Sequence, residues 1–200
     1  ADAREPGQSA TLPGGLRMRV ERDVITVVEA DAGLSAHLLG RDAPALASGY
    51  IGEPFSAGAS VVFTAGAWLF EAWLLAPEDD LEVLHADPLA AALAVEPGAQ
   101  LHLRTWQPGD RFQPRGMGGH SKKLGDLFNA MGVPVSWRDR VPLLVVGNDI
   151  AWFVALAAPV SAGAQTRVRG RVSTLFSPEH NAPFRLLLAV RWRRANHLTK

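Results

Sequence analysis

Hydrophobic spacing divides this chain into many short strands and one clear helix. Leu16-Arg17-Met18-Arg19-Val20 alternates apolar and basic positions, as a half-buried strand does. Arg22-Asp23 marks a turn, and the β-branched run Val24–Val28 is the expected partner strand. Leu12-Pro13-Gly14-Gly15 is a tight turn into that pair, and the polar residues 1–10 read as a linker. Residues 31–59 carry no usable period. Val61–Leu75 predicts paired strands, 77–80 a turn, and Pro88–Val95 either a short helix or an apolar strand. Leu101–Trp106 alternates again. Pro142–Val146 and Ile150–Leu156 form a hairpin around Gly147-Asn148-Asp149. Arg167–Val172 alternates with its three arginines on one face, and Phe184–Trp192 is a last strand. Leu124, Leu127, Phe128 and Met131 fall on one face of a helix. Ser121 is its expected N-cap, and Gly132 and Pro134 end it. The expected fold class is α+β, mainly β.

Charge adds what the pattern does not. The formal net charge is zero. Yet residues 1–100 hold 5 basic and 15 acidic side chains, and residues 101–200 hold the reverse. With Pro97-Gly98 breaking the chain, this places a boundary between an acidic region, 1–98, and a basic region, 99–200. A basic half is the footprint of a polyanion binder. Two halves that simply attract one another would show the same imbalance. Cysteine is absent, which excludes disulfides and thiolate metal sites. No apolar run nears the roughly 18 residues of a membrane span. A cytoplasmic protein without membrane contact is expected.

The densest chemistry lies between Arg104 and Arg140. Gly109, Gly116, Gly118 and Gly119 with Pro108 and Pro114 make a long loop that runs into the helix. Glycines let backbone N–H groups face a ligand, and a helix N-terminus attracts anions. Two of the chain's three lysines, Lys122 and Lys123, are expected in the first helical turn. Cations there oppose the helix dipole, a cost that a docked phosphate reverses. The candidate nucleic-acid-binding residues are Arg104, Arg111, Arg115, Lys122, Lys123, Arg138 and Arg140. Asp110, Asp126 and Asp139 are expected to fix arginines or loop backbone. The histidines, among them His102, His120, His180 and His197, lack metal-ligand spacing. Neither a nucleophile elbow nor a P-loop is present, so no catalytic residue is assigned.

These residues resemble a known family. Gly109-Asp110-Arg111-Phe112, Pro114, Gly116-Met117, Lys122-Lys123-Leu124, Asp126-Leu127-Phe128, Val133-Pro134, Arg138-Asp139-Arg140 and Pro142-Leu143-Leu144 look like the C-terminal domain of bacterial tRNA(Ile)-lysidine synthetases. Leu12–Gly15 with Arg17 and Arg19 looks like the strand-rich region before that domain. The resemblance implies a layered, β-sandwich-like domain with one helix, similar to a domain of the phenylalanyl-tRNA synthetase β subunit. It implies a part that binds and selects isoleucine tRNA at the acceptor stem. In that family ATP and lysine are used by an N-terminal catalytic domain with a Ser-Gly-Gly-x-Asp-Ser loop. This sequence contains no such loop, so the chain is expected to be non-catalytic, to use no cofactor itself, and to partner that domain.

One departure stands out. The family's Trp-x-x-Gly-x-Arg pattern is replaced after Trp152 by Phe153-Val154-Ala155-Leu156-Ala157, which removes a glycine and a basic contact. Arg167, Arg169 and Arg171 form a second basic stripe. As a strand face it could track a nucleic-acid backbone or be plain solvated surface. Two other readings of the chain remain: a small-anion or nucleotide-binding enzyme domain, and a purely structural domain.

Overall fold

The computed structural model describes residues 9–12, 16–20, 25–29, 43–76, 78–157, 167–180 and 185–195. The expected turns at 13–15 and 22–23, residues 1–8 of the expected leading linker, and residues 196–200 lie outside this set, whereas Ser9 and Ala10 of that linker are strand. The first three strands, β1 (Ser9–Leu12), β2 (Leu16–Val20) and β3 (Ile25–Glu29), pair antiparallel in that order. The β2–β3 pairing is the one that the alternation predicted; β1 was not expected.

The remaining strands form two larger sheets. One has the order β5-β6-β14-β7, with β5 (Val61–Ala65), β6 (Trp68–Leu74), β7 (Ala90–Val95) and β14 (Leu186–Arg194). The other has the order β13-β12-β11-β8-β4. Its strands are β4 (Phe55–Ser56), β8 (Gln100–Arg104), β11 (Leu143–Val146), β12 (Asp149–Ala157) and β13 (Arg167–Val172). Of the two readings of Pro88–Val95, strand holds, over Ala90–Val95. A helix forms just before it instead: α1 (Leu81–Ala86), whose Asp80 cap accepts from the Glu82 and Val83 N–H groups. A carboxylate at that position satisfies donors that no helical carbonyl can reach.

Strand pairing crosses residue 98. β14 of the basic half lies between β6 and β7 of the acidic half, and β4 pairs with β8. The boundary expected at residue 98 therefore separates charge, not hydrogen bonding. Ion pairs cross it too. Glu71 joins Arg191 at 2.6 Å and Arg193 at 2.8 Å, and Glu96 joins Arg185 at 2.9 Å.

Alternation sorts the side chains into two cores. Phe70, Trp192 and Val190 of the four-stranded sheet meet Leu101, Leu103, Leu144, Trp152 and Val154 of the five-stranded sheet. The opposite face of the five-stranded sheet, with Leu143, Val145, Ile150 and Phe153, packs under α2 (Leu124–Met131) through Leu124 and Phe128. Phe153 sits edge-on to Phe112 at 5.1 Å and to Phe128 at 5.6 Å. The result is a sheet, a second sheet and a helix layer. A bulge adjusts the register: Leu144 pairs with Trp152 but Val145 with Ile150, leaving Ala151 as the extra residue. Ile150 and Phe153, three apart, thereby face the same core. No helix among the described residues is long and apolar enough to cross a membrane.

Candidate nucleic-acid interface

The loop before α2 is held at its base by one carboxylate. Asp110 takes both Arg104 guanidinium nitrogens, at 2.7 and 2.8 Å, and the Gln107 N–H at 2.9 Å. Both partners of this fork are nearly buried, at 11% and 13% exposure. A forked, charge-assisted pair shielded from water is stronger than a surface one. The Asp110 carbonyl also accepts the Leu124 N–H at 2.8 Å, which ties the loop to the start of α2. Asp110 thus has the local role expected of it, but its partner is Arg104 and not Arg111. Arg104 is committed to the protein.

The first turn of α2 differs from expectation. Lys122-Lys123 is a short strand, β10, paired antiparallel with β9 (Arg111–Phe112). The helix begins only at Leu124, with Lys123 at the cap position and no side-chain cap. Ser121 is not the N-cap. Its hydroxyl accepts from Arg111 Nε, and its carbonyl from Arg111 Nη2, both at 2.9 Å. Strand pairing takes the backbone that a helical turn would have used. At the other end Gly132 closes the helix in the left-handed region, at φ 69°, as its position predicted.

This hairpin sets the cations. Lys122 and Lys123 are exposed. With Arg111 and Asp126 they line a shallow hollow of about 470 Å³. Lys122 also borders a second cleft, of about 490 Å³, between the hairpin, β13 and the turn Pro178–His180. Arg115 reaches that cleft and pairs there with Glu179. The glycine loop is pinned across it: the Gln113 carbonyl accepts from both the backbone N–H and the hydroxyl of Thr174, at 2.9 and 3.1 Å. The Gln113 amide donates to the Gly119 carbonyl.

Four of the seven expected residues, Arg111, Arg115, Lys122 and Lys123, therefore share one surface. Arg138 and Arg140 stand on the 3-10 turn Val135–Arg140 and line neither hollow. Arg138 donates through Nε and Nη2 to the Val133 carbonyl, at 3.1 and 3.0 Å, which secures the turn after α2. Arg140 is half-buried, and its carbonyl accepts the Leu46 N–H. Sequence reasoning placed Arg171 in a separate stripe. In the structure it lines the same cleft as Arg115 and Lys122. Its alternation was visible; the register that brings β13 beside the hairpin was not. Arg169 is exposed on the same strand face, while the Arg167 side chain lies outside the described set.

No group of three or more His, Asp or Glu that could hold a metal occurs among the described residues. His102 is held below its ordinary pKa by burial and by nearby Arg104, and has no catalytic partner at hand. The surface offers cationic and backbone donors without a nucleophile–base pair.

Part of the chain is similar to known proteins. Residues 101–173 match the family model for the TilS substrate C-terminal domain. The chain is 37% identical over 96 residues to the tRNA(Ile)-lysidine synthase of Clostridium tetani, a match covering 48% of this chain and 17% of that protein. It is 43% identical over 76 residues to that of Symbiobacterium thermophilum, covering 38% and 14%. A crystal structure of a TilS C-terminal domain aligns over 72% of this chain and 98% of its own, with a TM-score of 0.45 and 17% identity. The chain thus spans well under a quarter of the length of these curated relatives. On these matches residues 101–173 are similar to the C-terminal domain of tRNA(Ile)-lysidine synthases.

Proposed function

We propose that this chain binds and selects isoleucine tRNA for a lysidine-forming ligase, in the cytoplasm, while ATP and lysine are handled by a separate catalytic domain that it partners. The observation that carries this reading is the β9–β10 hairpin. It holds Arg111, Lys122 and Lys123 on one exposed surface at the start of a helix with no side-chain cap. Double-stranded RNA is read mainly through phosphates and 2′-hydroxyls, which suits cations on a rigid frame. Arg111, Arg115, Lys122 and Lys123 make the phosphate contacts. Arg104 and Arg138 support them by fixing the loop and the turn after the helix. Arg140 is an outlying contact. The acceptor stem, a regular duplex, is the expected element bound.

Equilibrium binding of isoleucine tRNA across a salt series tests this. Roughly five phosphate contacts predict a log–log slope of about −3.5 to −4.5. Preference over a second tRNA should persist at fixed salt. A slope near zero, or equal affinity for any polyanion, contradicts the reading.

A further inference from the structure

The cleft between the glycine loop and β13 has a composition that a duplex-facing surface does not need. Part of its wall is apolar, with Phe112, Met117, Leu127 and Trp152, and His85 and the carboxylates Asp87 and Glu179 line it as well. Its cations, Arg115, Lys122 and Arg171, come from three separate elements. At about 490 Å³ it falls in the range of pockets that hold small molecules.

One polar atom there has no partner. The Trp152 indole N–H is buried without a hydrogen bond, although the rest of the ring packs in the core. It lies 3.2 Å from where a Cβ on Gly170 would stand, and that Cβ would also come within 2.7 Å of the Pro88 carbonyl oxygen. Any side chain at position 170 would fill this space, and Gly170 itself lines the cleft. Buried donors are ordinarily paired; among the described residues four buried tryptophan N–H groups lack a partner, and Trp152 is the one of them that lines this cleft. At the mouth, Arg115 is paired only with Glu179, and both are more than half exposed. Such pairs contribute little, and a phosphate displaces them readily.

We propose that this cleft is a subsite for a single unpaired nucleotide of the bound RNA. The base lies against the apolar wall near Trp152, and its phosphate meets Arg115, Lys122 and Arg171, with Glu179 displaced. The proposal rests on the RNA-binding reading and adds a nucleotide-sized site to it. Unpaired bases offer edges and faces that a duplex hides, so the subsite distinguishes an RNA end or bulge from a plain stem.

Titration of the full chain with AMP, CMP, GMP, UMP and inorganic phosphate, read by calorimetry, tests it. At least one mononucleotide should bind about five-fold or more tighter than phosphate. Arg171→Ala should weaken that binding about five-fold or more, as loss of a charge-assisted contact does. Glu179→Gln should strengthen it, an effect that partial unfolding cannot mimic. Arg193→Ala, on the far sheet, should leave it unchanged. Mononucleotides binding no tighter than phosphate, or indifferent to Arg171→Ala, overturn the proposal even if tRNA still binds. Mononucleotide binding that follows these variants, in a chain that fails to bind tRNA, upholds the nucleotide site and counts against the RNA reading alone.

Discussion

The two outer faces of the molecule use the same residue types in opposite ways. On the four-stranded sheet, Arg191 and Arg193 share Glu71, Arg191 lies 5.2 Å over the Trp73 ring, and Arg194 lies 5.2 Å over the Trp68 ring. On the helix side, Lys122 and Lys123 line a hollow with Asp126 as its one acid among the described residues, and Arg111 donates to Ser121. The first set is mortar between strands; the second is offered outward. Counting charges cannot separate the two, because both sit in the basic half. What separates them is whether a carboxylate or ring from another strand lies alongside. Attraction between the halves is real, but it accounts for Arg185, Arg191 and Arg193 and not for the hairpin.

The comparison can be broken most forcefully from below the hairpin. Phe153→Ala removes the ring between Phe112 and Phe128 and should cost about 3–5 kcal/mol. Denaturant unfolding reads that loss, and RNA affinity should fall with it, because the helix layer loses its floor. Next in size, Asp110→Ala strands a nearly buried Arg104 and frees the loop. A loss of about 2–3 kcal/mol is expected, with weaker tRNA binding even where the protein remains folded by circular dichroism. If Asp110→Ala leaves RNA affinity intact, the clamp does not position the hairpin.

The far face should behave differently. Arg191→Ala with Arg193→Ala should cost roughly 1 kcal/mol at neutral pH, a modest figure because both arginines are substantially exposed. Burial pushes the Glu71 carboxyl up, but hydrogen bonds and charge from Arg191 and Arg193 outweigh it and hold the group below its ordinary value. Stability from this cluster is therefore full above the ordinary carboxylate pKa and is lost as pH falls through the lower folded one. The stability gap between the parent and this variant, measured by urea unfolding, should accordingly shrink at pH 3. A gap that widens in acid contradicts the assignment. The smallest effect is expected for His102, whose depressed pKa adds slight stability above about pH 6.5 that fades as pH falls.

Much of the layered body was legible because period-two patterns persist wherever one face is buried. The β2–β3 hairpin follows from alternation, while β5–β6 and β11–β12 were read from apolar runs, the latter flanking the turn Gly147-Asn148-Asp149. Ala90–Val95 was ambiguous because it is buried on both faces, which erases the period. α1 was overlooked, though Asp80 before Leu81 was a usable cap signal. At the site, the loop and its cations were readable from glycine spacing and charge. The Ser121 cap failed because strand pairing between Lys122-Lys123 and Arg111-Phe112 is a contact across a nine-residue loop. Arg104 and Arg138 looked like free cations for the same reason: their partners, Asp110 and the Val133 carbonyl, are defined by the fold.

The contrast between the two faces can be tested in one experiment. Isoleucine tRNA binding is measured from low to moderate salt for the parent chain, for Lys122→Ala with Lys123→Ala, and for Arg191→Ala with Arg193→Ala. The lysine variant should bind about ten-fold or more weakly at low salt, with its log–log slope reduced in magnitude by about 1.5. Its unfolding midpoint should not change. The arginine variant should keep the parent affinity and slope while losing stability. Equal losses of affinity in the two variants, or an unchanged slope in the lysine variant, would contradict the assignment of the hairpin as the RNA-facing surface.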